Sequence, residues 1–415
     1  YLYIFGGFGY DKNGDKAHLN DFWKWDGTYW TWIGGSDEIG QGGTYGTMGV
    51  ASSSNIPGAR TGAMFCKDND GNFWLFGGNA YDITGYQKAQ INDLWKWDGT
   101  NWTWVSGDDE GNAYGSFGTK GTAASSNVPG SRKEGGMDCD ASGNIWIYGG
   151  NGYAASTSGF LDDLWKWDGS KWTWIAGSNT ASAAASFGTK GTASSSNEPG
   201  GRMGLNFWID DSDNCWVFGG YYYISRLATG YRNDLWKFDG SDWTWISGDD
   251  SRNQAGVYGT LGTGASTNII GSRKEAFALK NNDGSVWIVG GYGYATSTSP
   301  GYLSDLWKWD GSNWTWIGGS STKNKSSSHG TMGTTSTSNE LGQRTLSMGW
   351  FDKGGELWLF GGYYYESGNR YRLGDLWNFS QAPLEEEIGV IGNGVEIVDG
   401  DNSPSSTDST DFEGV

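Results

Sequence analysis

Residues 92–107 read NDLWKWDGTNWTWVSG, and this tryptophan-rich segment decides the fold because close copies of it recur along the chain. Further copies begin at residues 162, 233 and 304, and an earlier version begins at residue 20. The aspartates of these copies, and of a shorter sixth one, lie 70–72 residues apart, at Asp21, Asp93, Asp163, Asp234, Asp305 and Asp375. A fixed period is the signature of a repeat architecture, so we predict six equivalent units.

A pair of glycines after an apolar run marks each unit a second time, at Gly6-Gly7, Gly77-Gly78, Gly149-Gly150, Gly219-Gly220, Gly290-Gly291 and Gly361-Gly362. Short apolar runs bounded by Gly, Asn and Asp predict strands, and helical periodicity is absent. Unit two is predicted to form four antiparallel strands, A to D, from RTGAMFCK, FWLFGG, INDLWKWD and WTWVSG. We expect strand B to end at its glycines, because residues without side chains permit close approach of two backbones.

Six four-stranded sheets in sequence predict a radial array in which each sheet packs against two neighbours. The tryptophans fit this arrangement, since alternate residues of a strand point to opposite faces and both faces are buried.

The glycine pair, the DLW strand and the closing tryptophan strand resemble the Kelch repeat, and hence the Kelch and galactose-oxidase-like β-propellers. The resemblance implies an all-β, Kelch-type β-propeller of six four-stranded blades over residues 1–380, with a ring of seven blades, one of them upstream, as the alternative. The long D-to-A connections, for example residues 34–59, make each unit longer than a usual Kelch repeat.

The composition changes after residue 380, where the sixth unit lacks the WDG turn and the WTW strand. Residues 381–387 are predicted to form a linker. Residues 388–415 contain GNGVEIVDGD and PSSTDSTDF, which resemble the start of a choice-of-anchor D type immunoglobulin-like β-sandwich domain of bacterial surface proteins. The resemblance implies a longer extracellular protein, and a flexible acidic tail is the alternative. The sixth unit either takes its outer strand from EIGVIGNG or lacks one, and strand A of unit one is expected upstream.

The charge and composition exclude some classes of partner. A net charge of -19 and a pI near 4.4 argue against nucleic acid binding. No stretch is apolar enough to predict membrane insertion. Cys66, Cys139 and Cys215 are predicted to be buried free thiols rather than a disulfide frame or a metal site. The predicted location is extracellular or on the cell surface.

Functional residues are expected in the loops, because packing accounts for the strands. The B-to-C and D-to-A loops should leave the same face of the sheet array. A tyrosine stands third after every glycine pair, and this regularity favours a structural role for Tyr10, Tyr81, Tyr153, Tyr223, Tyr294 and Tyr365. Residues further along these loops, most of which vary between units, are predicted to contact a ligand: Tyr86, Phe160, Arg226, Tyr231, Arg232, Tyr302, Arg370, Tyr371 and Arg372. Tyrosine offers rigid apolar area and one hydroxyl, which suits a sugar face or a peptide.

Arginines, histidines and acids of the chain bear on three enzyme classes or ion sites. The arginines that open strand A, Arg60, Arg132, Arg202, Arg273 and Arg344, are expected to bond carbonyls between blades, and a sialidase-like carboxylate site is the alternative. A copper radical oxidase would need ligands beyond His18 and His329. Glu134 and Glu275 are the best lone acids but have no evident partner. We therefore predict no catalytic residue, no metal site and no cofactor. Calcium is the alternative, at residues 68–72, at residues 210–214, or at the loop acids Asp108, Asp109, Glu110, Asp249 and Asp250.

The sequence thus predicts a non-catalytic extracellular recognition module of a large bacterial surface or secreted protein. Its expected partner is a glycan or an extracellular protein, bound through the face that carries the long loops. Neighbouring domains or copies of the same long protein are further expected partners. A structural spacer of a surface fibre is the alternative, and a propeller enzyme comes third.

Overall fold

The computed structural model describes residues 2–81, 88–225, 228–379, 390–393 and 396–399. Within these ranges every regular element is a β-strand, and every strand pair is antiparallel. The predicted all-β class is confirmed. No helix capable of crossing a membrane occurs in this part of the chain.

The strands follow the predicted repeat and are numbered along the chain. Units one to three contain β1 (Leu2–Tyr10), β2 (Lys16–Trp25), β3 (Trp30–Gly34); β4 (Arg60–Thr61), β5 (Met64–Lys67), β6 (Phe73–Tyr81), β7 (Lys88–Trp97), β8 (Trp102–Ser106); β9 (Arg132–Lys133), β10 (Gly136–Cys139), β11 (Ile145–Tyr153), β12 (Ser158–Trp167) and β13 (Trp172–Ala176). Units four to six contain β14 (Arg202–Met203), β15 (Asn206–Ile209), β16 (Cys215–Phe218), β17 (Tyr221–Ser225), β18 (Ala228–Tyr231), β19 (Leu235–Phe238), β20 (Trp243–Ser247); β21 (Arg273–Lys274), β22 (Phe277–Lys280), β23 (Val286–Gly293), β24 (Gly301–Trp309), β25 (Trp314–Gly318); β26 (Met348–Phe351), β27 (Leu357–Glu366), β28 (Asn369–Phe379), β29 (Val390–Asn393) and β30 (Glu396–Asp399).

Units two, three, five and six each form one sheet in the order A, B, C, D, and strand A is divided into two short pieces in units two to five. In unit two, β4 and β5 both pair with β6, and β7 and β8 follow. Unit four divides further, into the sheets β15-β16-β19-β20 and β14-β17-β18, and unit one has three strands within the described residues. The A strands β5, β10, β15, β22 and β26 each contact the next, so consecutive sheets meet along their first strands.

The prediction that strand B ends at its glycines is wrong. Strand β6 continues through a bulge at Gly77 and Gly78 as far as Tyr81, because both glycines adopt positive φ, 67° and 105°. The predicted close approach does occur: a Cβ on Gly77 would lie 2.6 Å from the carbonyl oxygen of Arg132 in the next unit. The B-to-C connection is therefore an extended hairpin, and Tyr81 lies on a strand rather than in a loop.

The tryptophans fill the spaces between sheets, as predicted. Trp95 is fully buried, and its indole Nε1 donates to Asp93 Oδ2 over 2.6 Å. Trp102 packs 5.5 Å from Phe5 of the preceding unit. The same contact recurs for Trp172 on Phe76, Trp243 on Tyr148 and Trp314 on Phe218. One aromatic pair thus joins each of these units to the unit before it.

The arginines of strand A form buried ion pairs within their own units. Arg60 donates to both carboxylate oxygens of Asp93 over 2.7 Å and to the Gly77 carbonyl over 2.9 Å. The equivalent pairs are Arg132–Asp163, Arg202–Asp234, Arg273–Asp305 and Arg344–Asp375. The prediction that these arginines bond carbonyls between blades is therefore wrong, because each of them pairs with an aspartate on strand C of its own unit. All five guanidinium groups are engaged in this way, which leaves none of them for a sialidase-like carboxylate site.

Cys66 and Cys139 form a disulfide, contrary to the prediction of three free thiols. Cys66 lies on β5 and Cys139 on β10, and these A strands contact each other although the two residues are 73 positions apart. The sequence prediction failed because one repeat length separates residues that become neighbours in adjacent sheets. Cys215 is a free, buried thiol as expected.

The last sheet takes its outer strand from beyond the sixth unit. Strand β29 pairs with β28 so that Val390 lies opposite Phe379, the register that Trp102 and Trp97 have in unit two. Of the two alternatives for this strand, the structure has the borrowed one. Strand β30 also pairs with β28. The immunoglobulin-like domain over residues 388–415 stays a prediction, since most of that range lies outside the described residues.

Candidate functional site

Six cross-strand pairs occupy equivalent places just beyond the glycine bulges. In each unit the first residue after the glycine pair on strand B lies opposite a residue of strand C. We call them the rim pairs: Phe8–His18, Asn79–Gln90, Asn151–Phe160, Tyr221–Tyr231, Tyr292–Tyr302 and Tyr363–Arg372. Their residues differ between units, except that units four and five both have a pair of tyrosines, whereas the glycines and tryptophans recur in all six units and the arginine–aspartate pairs in units two to six. Packing of the repeat does not account for such variation.

The rim pairs of neighbouring units contact one another, except between units one and two. Between units two and three, Gln90 Nε2 donates a hydrogen bond to Asn151 Oδ1 over 2.8 Å. From unit three to unit six the contacts are between aromatic rings: Phe160 with Tyr221, Tyr231 with Tyr292, and Tyr302 with Tyr363. The Arg372 guanidinium of unit six lies 5.3 Å from the Phe8 ring centroid of unit one. Between units one and two, His18 lies 5.9 Å from Tyr81. The contacts therefore run through all six units and return from the sixth to the first.

Aromatic rings dominate the rim from unit three to unit six. Tyr231 lies 5.2 Å from Tyr221 and 5.7 Å from Tyr292, and Tyr302 lies 4.8 Å from Tyr292, measured between ring centroids. These rings are half-buried, so part of each stays accessible. Burial raises the pKa of Tyr231 and Tyr302 well above the ordinary value of tyrosine. Both hydroxyls are therefore protonated at neutral pH and can donate a hydrogen bond.

The rest of the rim is polar or cationic. Units two and three contribute the amides Asn79, Gln90 and Asn151. In unit six the Arg370 guanidinium lies 4.0 Å from the Tyr363 ring centroid, close enough for a cation–π contact. The site is consequently asymmetric, with aromatic, amide and guanidinium sectors in sequence around it.

Backbone hydrogen bonds link neighbouring units at the residue two positions after each strand A arginine, and we call this series of bonds the belt. The amide of Glu134 donates to the carbonyl of Gly62, and the same bond links Gly204 to Glu134, Glu275 to Gly204 and Leu346 to Glu275, over 2.7–3.1 Å. All five residues have positive φ, including 56° at Glu134 and 54° at Glu275. Non-glycine residues rarely adopt this conformation, and it concentrates at functional sites. Nothing in the sequence pattern had indicated this belt.

The belt brings two carboxylates close to the aromatic rings. Glu275 is 8% exposed and accepts hydrogen bonds from Lys274 Nζ and from Thr345 Oγ1. Glu134 accepts one from Lys133 Nζ over 3.1 Å. After burial itself, the charge of Glu275 further raises the pKa of Tyr363. Glu134 and Glu275, two acids without a partner in the sequence, thus share one site with the rim pairs, and we call this combined site the cup.

The predicted ligand contacts divide between the cup and the interior. Phe160, Tyr231, Tyr302 and Arg372 are members of rim pairs, and Arg370 lies on the neighbouring Tyr363. The predicted residues Tyr86 and Arg226 lie outside the described residues.

Two other predicted contacts point elsewhere. Tyr371 stacks on the buried Tyr364, at 4.9 Å and 9° between the ring planes. Arg232 is only 5% exposed, lies 4.4 Å from the Tyr222 ring and donates to the Asp250 carbonyl over 2.6 Å. Arg232 is therefore not available as a surface ligand contact, because its guanidinium is buried and bonded to the loop residue Asp250.

The regularly repeated tyrosines do not share one environment. Tyr10, Tyr223 and Tyr365 are 45%, 37% and 47% exposed, whereas Tyr294 is 8% exposed and packs on Tyr231. Each lies two residues beyond its rim position, on the same face of strand B. A structural role for the whole set stays a prediction.

The two histidines lie in different settings. His18 is a buried rim residue, and burial lowers its pKa to about 4, so it is neutral at pH 7. His329 packs 5.2 Å from Trp377, in the place where other units have Tyr45, Phe117, Phe187 or Tyr258 on the corresponding tryptophan. His329 thus occupies the position at which the other D-to-A connections have an aromatic packing residue.

The two segments considered for calcium use their first carboxylates in tight turns. Asp68 accepts hydrogen bonds from the Asn72 amide and from Trp74 Nε1, and Asp210 accepts the equivalent bonds from Asn214 and Trp216. Among the described residues no group of three or more potential metal-ligating acid, histidine or cysteine side chains is present. Calcium binding by these segments therefore stays a prediction.

Comparison with known proteins bears on the fold alone. No family model matches the chain, and no curated protein is similar in sequence. Among solved structures, YjhT, a Kelch-like β-propeller, superimposes with a TM-score of 0.51 at 12% identity, over 93% of this chain and 95% of that one. The fold is that of a β-propeller. A fungal alcohol oxidase of the AA5 family, solved in complex with copper, matches at 13% identity over 75% of this chain and 61% of its own, but its TM-score of 0.36 carries no argument about this propeller.

Proposed function

We propose that this propeller is a non-catalytic extracellular recognition module and that its cup binds a glycan. The observation that carries the proposal is the variation of the six rim pairs within an otherwise regular repeat. A ligand without sixfold symmetry needs different groups around one ring, whereas a purely structural ring does not.

The chemistry of the cup suits a carbohydrate. Tyr231, Tyr292 and Tyr302 provide partly exposed rings for the apolar faces of sugars, and the hydroxyls of Tyr231 and Tyr302 can donate hydrogen bonds. Glu134 and Glu275 provide acceptors for sugar hydroxyls. Arg370 and Arg372 add planar donors suited to a carboxylate or an acetamido oxygen. An extracellular protein that presents a polar aromatic loop is the second partner class compatible with these groups.

The ring that holds the cup is proposed to close with six blades. Trp30 of unit one packs 6.2 Å from Phe360 of unit six, the same pairing that joins Trp102 to Phe5. Trp25 also contacts Trp350 of unit six. These contacts support six blades over the alternative of seven, which would place a further sheet between units six and one.

An extracellular location is supported by the disulfide. Disulfides persist mainly in oxidising compartments, and Cys66–Cys139 joins two blades. We accordingly keep the proposal that the propeller belongs to a longer bacterial surface or secreted protein, together with the immunoglobulin-like segment after residue 388.

A glycan array tests the function directly. The full chain would be screened with and without calcium, alongside a variant carrying Tyr231→Ala and Tyr302→Ala and a control carrying Met332→Ala. Met332 is 69% exposed on a D-to-A connection and belongs to no rim pair. We expect a defined glycan class to bind the wild type and the control, with binding at least about tenfold weaker in the tyrosine variant. Binding that survives in the tyrosine variant would move the site away from the cup, and no binding to any glycan would favour the structural-spacer alternative.

A further inference from the structure

Two acids lie where the D-to-A connection of residues 177–201 packs against strand β12, at the junction of units three and four. Asp162 of β12 is 2% exposed, and Glu198, near the end of the connection, is half-buried. The positions equivalent to Asp162 in units one, two and four are asparagines: Asn20, Asn92 and Asn233. The positions equivalent to Glu198 in the corresponding connections are aliphatic: Ile56, Val128 and Ile269. This junction therefore has two acids where these equivalents have uncharged residues.

The asparagines show what this position does in the repeat. The side-chain amide of Asn92 donates to the Pro129 carbonyl, 37 residues further along, over 3.0 Å. Its side-chain oxygen accepts from the Asp108 amide over 3.0 Å. The same donation to a carbonyl recurs for two other pairs, Asn20 with Pro57 and Asn233 with Ile270. Each asparagine thus bonds strand C to the end of a D-to-A connection.

Asp162 can replace asparagine in both bonds only when it carries a proton. Its Oδ1 accepts from the Ser178 amide over 3.2 Å, as the asparagine oxygen accepts from the equivalent amide. The carbonyl 37 residues further along is that of Pro199, which also accepts from Arg202 Nη2. Because aspartic acid and asparagine have the same shape, the second oxygen of Asp162 takes the place of the amide nitrogen. A protonated carboxyl group can donate from there, whereas a carboxylate has only lone pairs to present to the carbonyl oxygen.

Burial and neighbouring charge both favour the protonated form. Burial is the main cause that raises the pKa of Asp162 to about 7, and the charges of Asp163 and Glu198 raise it further. Burial also raises the pKa of Glu198, although Lys120 acts against this shift. The charged and titratable groups that face the junction are Asp163 paired with Arg132, Tyr148 bonded to the Gly200 carbonyl, Lys120 bonded to the Gly177 carbonyl, Glu198, and Arg202 paired with Asp234.

The same connection positions a ring of the cup. The Ser182 amide donates to the Phe160 carbonyl over 2.6 Å, and Gly201 lies so close to this carbonyl that a Cβ would collide with it. Both the beginning and the end of the connection therefore contact the backbone of Phe160, two residues before Asp162. The Phe160 ring in turn lies 5.9 Å from Tyr221 of unit four. A displaced connection would disturb this contact across the junction.

We propose that Asp162 and Glu198 form a pH-sensitive latch, which holds residues 177–201 and the Phe160 side of the cup in place until Asp162 loses its proton. Above neutral pH two negative charges then lie at the buried junction, and the bond to the connection is lost. Any effect on ligand binding rests on the proposed function of the cup, whereas the loosening of the connection does not.

The direction of the pH dependence follows from the proton that the folded chain holds. In the unfolded chain Asp162 ionises near pH 4, as an ordinary aspartate does. Between about pH 4 and about pH 7 the folded state therefore binds one proton more than the unfolded state, and stability falls as the pH rises through this range. Asp162→Asn should remove this contribution, because asparagine donates the same bond at every pH.

Hydrogen–deuterium exchange of the purified full chain, at a series of values from about pH 5 to about pH 8, tests the latch without a ligand. After correction for the chemical exchange rate, we expect amides of residues 177–201 to exchange at least about tenfold faster at the upper end, and those of the equivalent residues 107–131 to stay unchanged. Asp162→Asn should abolish the difference and should unfold at a higher temperature than the wild type at about pH 8. A wild type without the difference, or an Asp162→Asn variant that keeps it, would overturn the proposal.

A matched pair of glutamate variants tests the second acid. Glu198→Gln should move the midpoint of the transition to lower pH, because it removes a charge that favours the proton on Asp162. Glu340→Gln changes the equivalent position of another connection, where the carboxylate is exposed and paired with Lys325, and should leave the midpoint unchanged. Equal midpoints for both variants would remove Glu198 from the latch.

A glycan array at about pH 5 and about pH 8 connects the latch to the cup. Weaker binding at the higher pH by the wild type, but not by Asp162→Asn, would support control of the cup by the latch. Binding that is independent of pH, despite pH-dependent exchange, would overturn that control. PH-dependent exchange without binding to any glycan would support the latch and would count against the proposed glycan function instead.

Discussion

At the scale of single residues, the aspartate of strand C has the same neighbours in every unit except one. In units two to six it pairs with a fully buried arginine and with an indole. Within the described residues, Asp21 bonds the indole of Trp23 and pairs with no arginine. A comparison of Asp21 with the equivalent aspartates therefore measures how much the ion pair contributes to stability, because the same residue type occupies the equivalent position with and without an arginine partner.

This contrast gives the first prediction. Asp163→Asn should lower the free energy of unfolding by about 3–5 kcal/mol, because it leaves the Arg132 guanidinium buried without a counter-charge. Asp21→Asn should change it by less than about 1 kcal/mol, since no arginine loses a partner. Chemical denaturation of both variants measures the difference. Equal effects would mean that the ion pair contributes no more than the hydrogen bond to the indole.

At the scale of strands and sheets, the chain shows where sequence reasoning succeeds and where it fails. Periodicity predicted the strand order of each unit, because alternation and turn chemistry are local properties. The glycine pair predicts the end of strand B, but a bulge lets strand β6 continue, since tertiary pairing overrides the local signal. The belt escaped prediction because positive φ at Glu134 has no sequence signature. The rim pairs were found only in part, because the hairpin register that defines them was not known.

The disulfide between β5 and β10 supplies the prediction at this scale. Reduction should destabilise the protein by about 2–4 kcal/mol, since Cys66 and Cys139 close a long loop that the unfolded chain otherwise leaves free. Denaturation with and without reductant measures the effect. A variant carrying Cys66→Ala and Cys139→Ala should lose the response to reductant. A wild type that is equally stable in both conditions would contradict the assigned bond.

At the scale of the whole molecule, the proposed six-bladed ring and the proposed ligand site both depend on the contact between units six and one. The cup is a closed circuit only if the Arg372 to Phe8 contact holds, and that contact lies at the same junction as Trp30 on Phe360. Loss of closure would separate the cationic sector from the amide sector of the rim. A ligand that spans the cup should in turn hold the two units together, because it binds the closed ring better than the open one.

Closure is tested by removing the aromatic residue on which Trp30 packs. Phe360→Ala should lower the free energy of unfolding by about 1–3 kcal/mol, less than the about 3–5 kcal/mol expected for Phe76→Ala, because Phe360 is half-buried and Phe76 fully buried. Tyr29→Ala, at a 71% exposed position of unit one, should have no measurable effect. Urea denaturation of the three variants decides the question. A Phe360→Ala protein as stable as the wild type would mean that units six and one do not close the ring through this contact, and the six-bladed circuit around the cup would have to be abandoned.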